Sequence, residues 1–465
     1  MPVNQAIEEG INRIVSAVPF ERVPWNDKPS EVTLAERMEY HNVPGISVAV
    51  MSGGEIDWAR SFGVKEAGTN EPVSTDTIFQ AGSISKAVTA VAVLRMVEQG
   101  TLSLDEDVNT YLTSWKVPEN DDWQPRVTLR HLLSHSAGTT VHGFPGYPRG
   151  SEVPTLVQVL NGEKPANTPR VYVNMMPGTR FRYSGGGTSI VQQVLVDVLG
   201  KPFPQIMREL VLDPAGMVHS TFEQPLPEPR WDSAATGHYW VPNNPVQGKW
   251  HIYPEMAAAG LWTTASDLAR FITDIWRALQ GKSHKLLSGD MAEQMLTPQG
   301  VEHMGLGFFL EGAGDAARFG HDGDDHGFVA SLKMYRASGS GVAIMTNGFA
   351  GNGLIEELRN TIAREYDWPD YPYKERTQVP VDTNTYDAYV GEYKPESGKR
   401  WNVTREGDHL TLQVPGQNPI VLYPQSETKF FAKAVDTTVS FTRSKDGQVT
   451  ELTLTQDDEE SKATK

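Results

Sequence analysis

Ser83 and Lys86 stand three residues apart at the head of an apolar run, Phe79-Gln-Ala-Gly-Ser-Ile-Ser-Lys86 continuing into Ala87–Gln99. On a helix, positions i and i+3 share a face, so a hydroxyl and an ammonium so spaced can meet. Burial disfavours a charged ammonium, and an amine without its extra proton can take one from a serine hydroxyl. That is one way to make a nucleophile from a weak one. The same spacing recurs at Ser426-Glu-Thr-Lys429, but there no apolar helix follows and the flanks read as strand. Context therefore decides which pair can do chemistry.

The context of the first pair is a helix over about 85–99. Ala87, Val88, Ala90, Val91, Val93, Leu94, Met96 and Val97 cover nearly every side of it. A helix apolar all round belongs inside a domain, and Gly100 is placed to end it. Before it, 45–51 and 55–62 flank Ser52-Gly-Gly54 and predict a β-hairpin. After it come a short helix in 127–138, a Gly/Pro/Tyr-rich lid or substrate loop over 139–170, and a helix near 188–199 behind Gly185-Gly-Gly187. Further helices are expected at 203–212 and 266–278, strands at 305–310, 317–321, 328–335 and 341–346, and a helix at 354–366. Early and late strands with helices between them predict one antiparallel sheet completed by both ends of this region, with a helical insertion over about 85–290.

The spans 1–368, 369–380 and 381–465 read as a catalytic domain, a linker rich in Pro, Tyr and Asp, and a small all-β domain. The fold class is α+β followed by a β-barrel. Strands of five to eight residues at regular spacing from 389 to 455 support the last part, and the charged tail from Asp457 is expected to be frayed.

The formal charge of −17 disfavours nucleic acid and anionic membranes as partners, and the absence of cysteine excludes disulfides and thiolate chemistry. The first 18 residues read as an amphipathic helix and no run suits a membrane span. The chain is expected to be cytoplasmic, or periplasmic or secreted where a leader has been removed. His131 and His135 carry the i, i+4 spacing of metal ligands without the glutamate of a zinc-protease motif. No Gly-x-Ser-x-Gly elbow occurs.

Five segments in order resemble the serine β-lactamase and penicillin-binding-protein superfamily, in its class C, D-aminopeptidase and esterase-like branch. They are Gly82-Ser-Ile-Ser-Lys86, Leu129-Arg-His-Leu-Leu-Ser-His-Ser-Ala-Gly138, Pro177-Gly-Thr-Arg-Phe-Arg-Tyr-Ser-Gly185, Gly260-Leu-Trp-Thr-Thr-Ala-Ser-Asp-Leu-Ala-Arg-Phe271 and Gly320-His-Asp-Gly323. The resemblance spans about 1–365, and about 386–456 looks like the lipocalin-like barrel appended in some members. It implies Ser83 as the acylated nucleophile, Lys86 as its activating partner, Tyr183 as general base, and His321 in place of the lysine of Lys-Thr-Gly. It implies an oxyanion hole from the backbone N–H groups of Ser83 and Asp324, with Asp322, Gly323 and Gly185 toward the substrate. No metal or organic cofactor is implied.

Two positions depart from the pattern. Gly185 stands where an asparagine commonly orients the lysine and a substrate carbonyl. His321-Asp-Gly-Asp-Asp-His326 carries three carboxylates where small neutral residues are usual, which reads either as a solvated turn or as a lining that attracts an amine. The expected activity is acyl transfer through Ser83 on small peptides or amides, with D-residue and amine-bearing ones included. Carboxylesterase or β-lactamase action on the same fold, and a non-catalytic scaffold, are the alternatives. The partner is a small molecule or short peptide, with homo-oligomerisation left open.

Overall fold

The hairpin expected near the N-terminus is β1 (Gly45–Ser52) and β2 (Glu55–Gly63), paired antiparallel around Gly53-Gly54. The computed structural model describes residues 5–19, 31–241, 244–300, 303–369, 376–395, 398, 400–415, 419–433, 437–456 and 459–465. By packing, the chain divides into two compact units: residues 1–9, 35–359 and 368–370, and residues 10–34, 360–367 and 371–465.

In the first unit, β1 is buried at nearly every position while β2 is only half-buried. This is the signature of an inner strand beside an edge strand. The helix behind Ser83 is α1 (Ile84–Glu98), followed by α2 (Leu129–Leu133), α3 (Gly185–Leu199) and α4 (Ala265–Leu279). Past these lie β3 (Phe309–Glu311), β4 (Arg318–Asp325), β5 (Phe328–Tyr335) and β6 (Gly341–Thr346). The six strands form one antiparallel sheet in the order β2-β1-β6-β5-β4-β3, and β6 joins the two halves by pairing Thr346 with Ile46. The sheet thus takes strands from before and after the helices. Helix α4, buried along Leu268, Ile272 and Ile275, packs on β1, β2 and β6. Helix α1 is buried on all sides, from Ile84 to Leu94.

Two elements extend further than the spacing predicts. α3 begins at Gly185, so the triple glycine is its first turn, with Ser184 as cap accepting from the Gly187 amide at 3.0 Å. β4 continues through the whole acidic segment to Asp325.

The second unit holds a closed eight-stranded barrel: β7 (Gly391–Pro395), β8 (Trp401–Glu406), β9 (His409–Gln413), β10 (Ile420–Pro424), β11 (Lys429–Ala432), β12 (Thr437–Arg443), β13 (Val449–Gln456) and β14 (Glu459–Thr464). Its interior is packed with Tyr386, Tyr389, Tyr393, Phe430, Phe441 and Leu452. The buried phenols find backbone acceptors, Tyr393 on the Tyr389 carbonyl (2.7 Å) and Tyr389 on that of Glu427 (2.6 Å). The tail expected to fray is β14 from Glu459 on, pairing with both β13 and β7. Its sequence EESKAT is too polar to announce a strand; only Ala463 is driven inward, and backbone pairing on both edges supplies the rest. Within the expected linker 369–380, residues 370–375 lie outside the described residues.

Candidate active site

The turn into α1 brings the first chemical pair together. Gly82 takes a left-handed conformation (φ 51°), and Ser83 is already helical at the start of the first turn. The Ser85 hydroxyl ties the turn down, donating to the Gly82 carbonyl (2.6 Å) and accepting from the Leu261 amide (3.0 Å). Lys86, 4% exposed, places Nζ 2.8 Å from Ser83 Oγ and 2.8 Å from the Ala258 carbonyl. Ser83 itself is only half-buried, so a reagent can reach the hydroxyl while the amine stays shielded. No carboxylate lies within ion-pair distance of Lys86 among the described residues.

Tyr183, in the segment leading into α3, is brought alongside: Lys86 Nζ lies 5.0 Å from its ring centroid. The ring is lined by imidazoles and a phenyl group, His135 at 4.3 Å, His142 at 5.0 Å, and His321 and Phe309 at 6.2 Å. Among the described residues its hydroxyl makes no hydrogen bond to Lys86 or Ser83.

The register of β4 sorts the acidic segment by face. Alternate residues of a strand point to opposite sides, and here His321 and Asp325 turn toward Lys86 while Asp322 turns away. Asp322 is not at the site. Its carboxylate takes the Ser331 hydroxyl (2.6 Å) and pairs with Lys333 (3.2 Å) on the far face. Asp324 offers its backbone to the site while its side chain meets Asn352, and desolvation pushes that carboxyl up to about 6. The expectation of three carboxylates lining the site therefore reduces to Asp325. Burial pushes Asp325 well above the ordinary carboxylate range, with Gly82 and Tyr253 as its polar neighbours.

His321 donates from Nδ1 to the Asp322 carbonyl (2.6 Å). A carbonyl only accepts, so Nδ1 carries the proton. Burial first, and the Lys86 ammonium second, lower this imidazole to about 3, which makes it neutral and leaves Nε2 a buried lone pair without a partner among the described residues.

Two glycines let β4 come this close. A Cβ on Gly323 would stand 1.9 Å from the Ala81 carbonyl oxygen and 3.0 Å from the Ser83 amide nitrogen, and one on Gly82 would stand 2.4 Å from the Asp324 amide nitrogen. The amides of Ser83 and Asp324 are thus neighbours, as an oxyanion hole requires. Gly185 sits differently: it is buried, its amide donates to the His142 carbonyl (2.8 Å), and Phe144 fills the space of a side chain.

Spacing alone missed His135 and Phe309. α2 stops at Leu133 and His135 is left-handed (φ 54°), so the i, i+4 pairing with His131 is lost. Its Nδ1 accepts from the Ser184 amide at 3.2 Å. A further buried acid, Glu255, begins the short helix Met256–Ala259 that carries the Ala258 carbonyl. Both its oxygens lack hydrogen-bond partners among the described residues, and burial pushes it up to about 8.

Residues 32–365 match the family model "Beta-lactamase", and 375–465 match "Domain of unknown function (DUF3471)". Penicillin-binding protein 4 of Amycolatopsis lactamdurans is 26% identical over 396 residues, covering 82% of this chain and all of that one. Esterase EstB of Burkholderia gladioli is 28% identical over 193 residues, 40% of this chain and 48% of its own. The octameric penicillin-binding protein homologue from Pyrococcus abyssi superposes with a TM-score of 0.63 at 22% identity, covering 93% of this chain and 98% of that one. At that identity the likeness speaks for the fold.

Proposed function

The chain belongs to the beta-lactamase family, and from that premise we propose that it is a serine hydrolase working through an acyl-enzyme on Ser83. The observation that carries the reading is the 2.8 Å approach of Lys86 Nζ to a half-buried Ser83 Oγ, with the Ala258 carbonyl as the amine's other hydrogen-bond partner among the described residues. Ser83 attacks the scissile carbonyl and its proton passes to the Lys86–Tyr183 pair. The carbonyl electrons move onto oxygen, held by the Ser83 and Asp324 amides; a donor of this kind is worth about 10²–10³ in rate. Collapse expels the leaving group, which takes the proton, and water then releases the acyl group by the same route.

The substrates we assign are small peptides and amides, D-residue and amine-bearing ones among them. Neutral His321 supports this choice. It takes the place of the lysine of Lys-Thr-Gly, and an uncharged imidazole offers no cation at position 321 to hold a substrate carboxylate. The same absence of a cation favours carboxylester hydrolysis as the second reading.

A fluorophosphonate should label the protein at Ser83. A panel of p-nitrophenyl esters, D- and L-aminoacyl p-nitroanilides and nitrocefin then separates the readings. Cleavage of the anilides supports the amidase, and of esters alone the esterase. An unlabelled protein, silent on the whole panel, leaves the scaffold.

A further inference from the structure

Position 185 has no side chain, and a neighbouring segment lies against it. Residues 140–144 are stitched to the start of α3: Ser184 Oγ donates to the Thr140 carbonyl (2.8 Å), and the Gly185 and Gly186 amides donate to the His142 and Val141 carbonyls (2.8 and 3.0 Å). A Cβ on Gly186 would stand 2.6 Å from the Thr140 carbonyl oxygen, and one on Gly185 2.9 Å from the Phe144 ring. The glycines are what allow this segment to lie where side chains of α3 would otherwise project. Val141 meanwhile holds φ at 66°, a strained value for a β-branched residue and one that persists only where its surroundings enforce it. What the strain places is the His142 imidazole, exposed and 5.0 Å from the Tyr183 ring.

We propose that His142 is a specificity-determining residue that touches the acyl part of the substrate. It takes the hydrogen-bonding role for which position 185 has no side chain. The substrates it favours carry an amide carbonyl or N–H next to the scissile bond, as peptides do and simple esters do not. The inference rests on Ser83 being the nucleophile.

The test compares wild type, His142→Ala and His142→Asn on an N-acetyl-alanyl p-nitroanilide and on p-nitrophenyl acetate, with fluorophosphonate labelling in parallel. His142→Ala should lose about tenfold in kcat/KM on the first substrate, the scale of one hydrogen bond, while the second stays within about twofold. His142→Asn should recover most of the loss. All three should label alike and melt alike, since the side chain is exposed. An equal loss on both substrates, no loss on either, or no recovery with asparagine overturns the assignment of His142. Wild type that fails to label removes the Ser83 reading, and this inference with it.

Discussion

Two Ser-x-x-Lys tetrapeptides occur in this chain and fold to different ends. Ser83-Ile-Ser-Lys86 opens a helix buried on every side, where the lysine meets a hydroxyl and a carbonyl. Ser426-Glu-Thr-Lys429 turns between two barrel strands. There the hydroxyl of Ser426 is spent on the Thr428 and Lys429 amides (3.3 and 3.0 Å), and Lys429 points to water. The residue types are identical. What differs is the backbone that follows, a helix that brings side chains at i and i+3 together or a turn that consumes the hydroxyl as an acceptor. A motif does chemistry only where the local fold leaves its groups facing each other and shields one of them.

The sharpest break of the comparison is to remove each serine. Ser83→Ala should lower turnover by ~10³-fold or more and abolish labelling; Ser426→Ala should change neither. Loss of labelling in Ser426→Ala would dissolve the distinction. Next, Gly323→Ala should separate the two amides by forcing a methyl against the Ala81 carbonyl, costing about 10²–10³ in kcat with Ser83 still labelled slowly. Unchanged kcat would remove the Asp324 amide from the mechanism.

A third measurement concerns stability rather than rate. Glu255 keeps its proton in the folded chain up to about 8, while the unfolded chain gives it up near the ordinary value of 4.5. Stability should therefore fall as pH rises through that window and level off above it. Glu255→Gln should flatten this slope and raise stability at pH 8, on the order of a few kcal/mol, read by urea denaturation at several pH values. A mutant with the wild-type slope would refute it. Smallest is the turn itself: Ser426→Ala should cost about 1 kcal/mol through two amides returned to solvent competition, a shift visible only in the barrel's own unfolding.

Legibility followed burial. α1 and the inner strands are continuous apolar runs that leave one reading of the sequence, and Ser83, Lys86 and Tyr183 lie close together where those elements end. β4 and β14 were obscured because polar residues occupy their outward positions; pairing with neighbouring strands, invisible in a local pattern, holds them. Asp322 was misplaced for the same reason: without knowing that His321–Asp325 is extended, the faces of its acids cannot be sorted. His142 lay inside a stretch legible only as a loop, since nothing local says which loop residue a distant helix terminus will hold.

The pairing of Ile46 with Thr346 has a consequence for how the protein comes into being. Strands that close over so long a separation form late, because the entropy of closing the loop is lost before the contacts reward it. Helix α1 is a local structure and can form early, carrying Ser83 and Lys86 with it. β4, with His321 and the Asp324 amide, joins only when the sheet zips up. During synthesis the chain would thus pass through a state with the Ser83–Lys86 helix formed and the Asp324 amide not yet beside it, until the last strands dock.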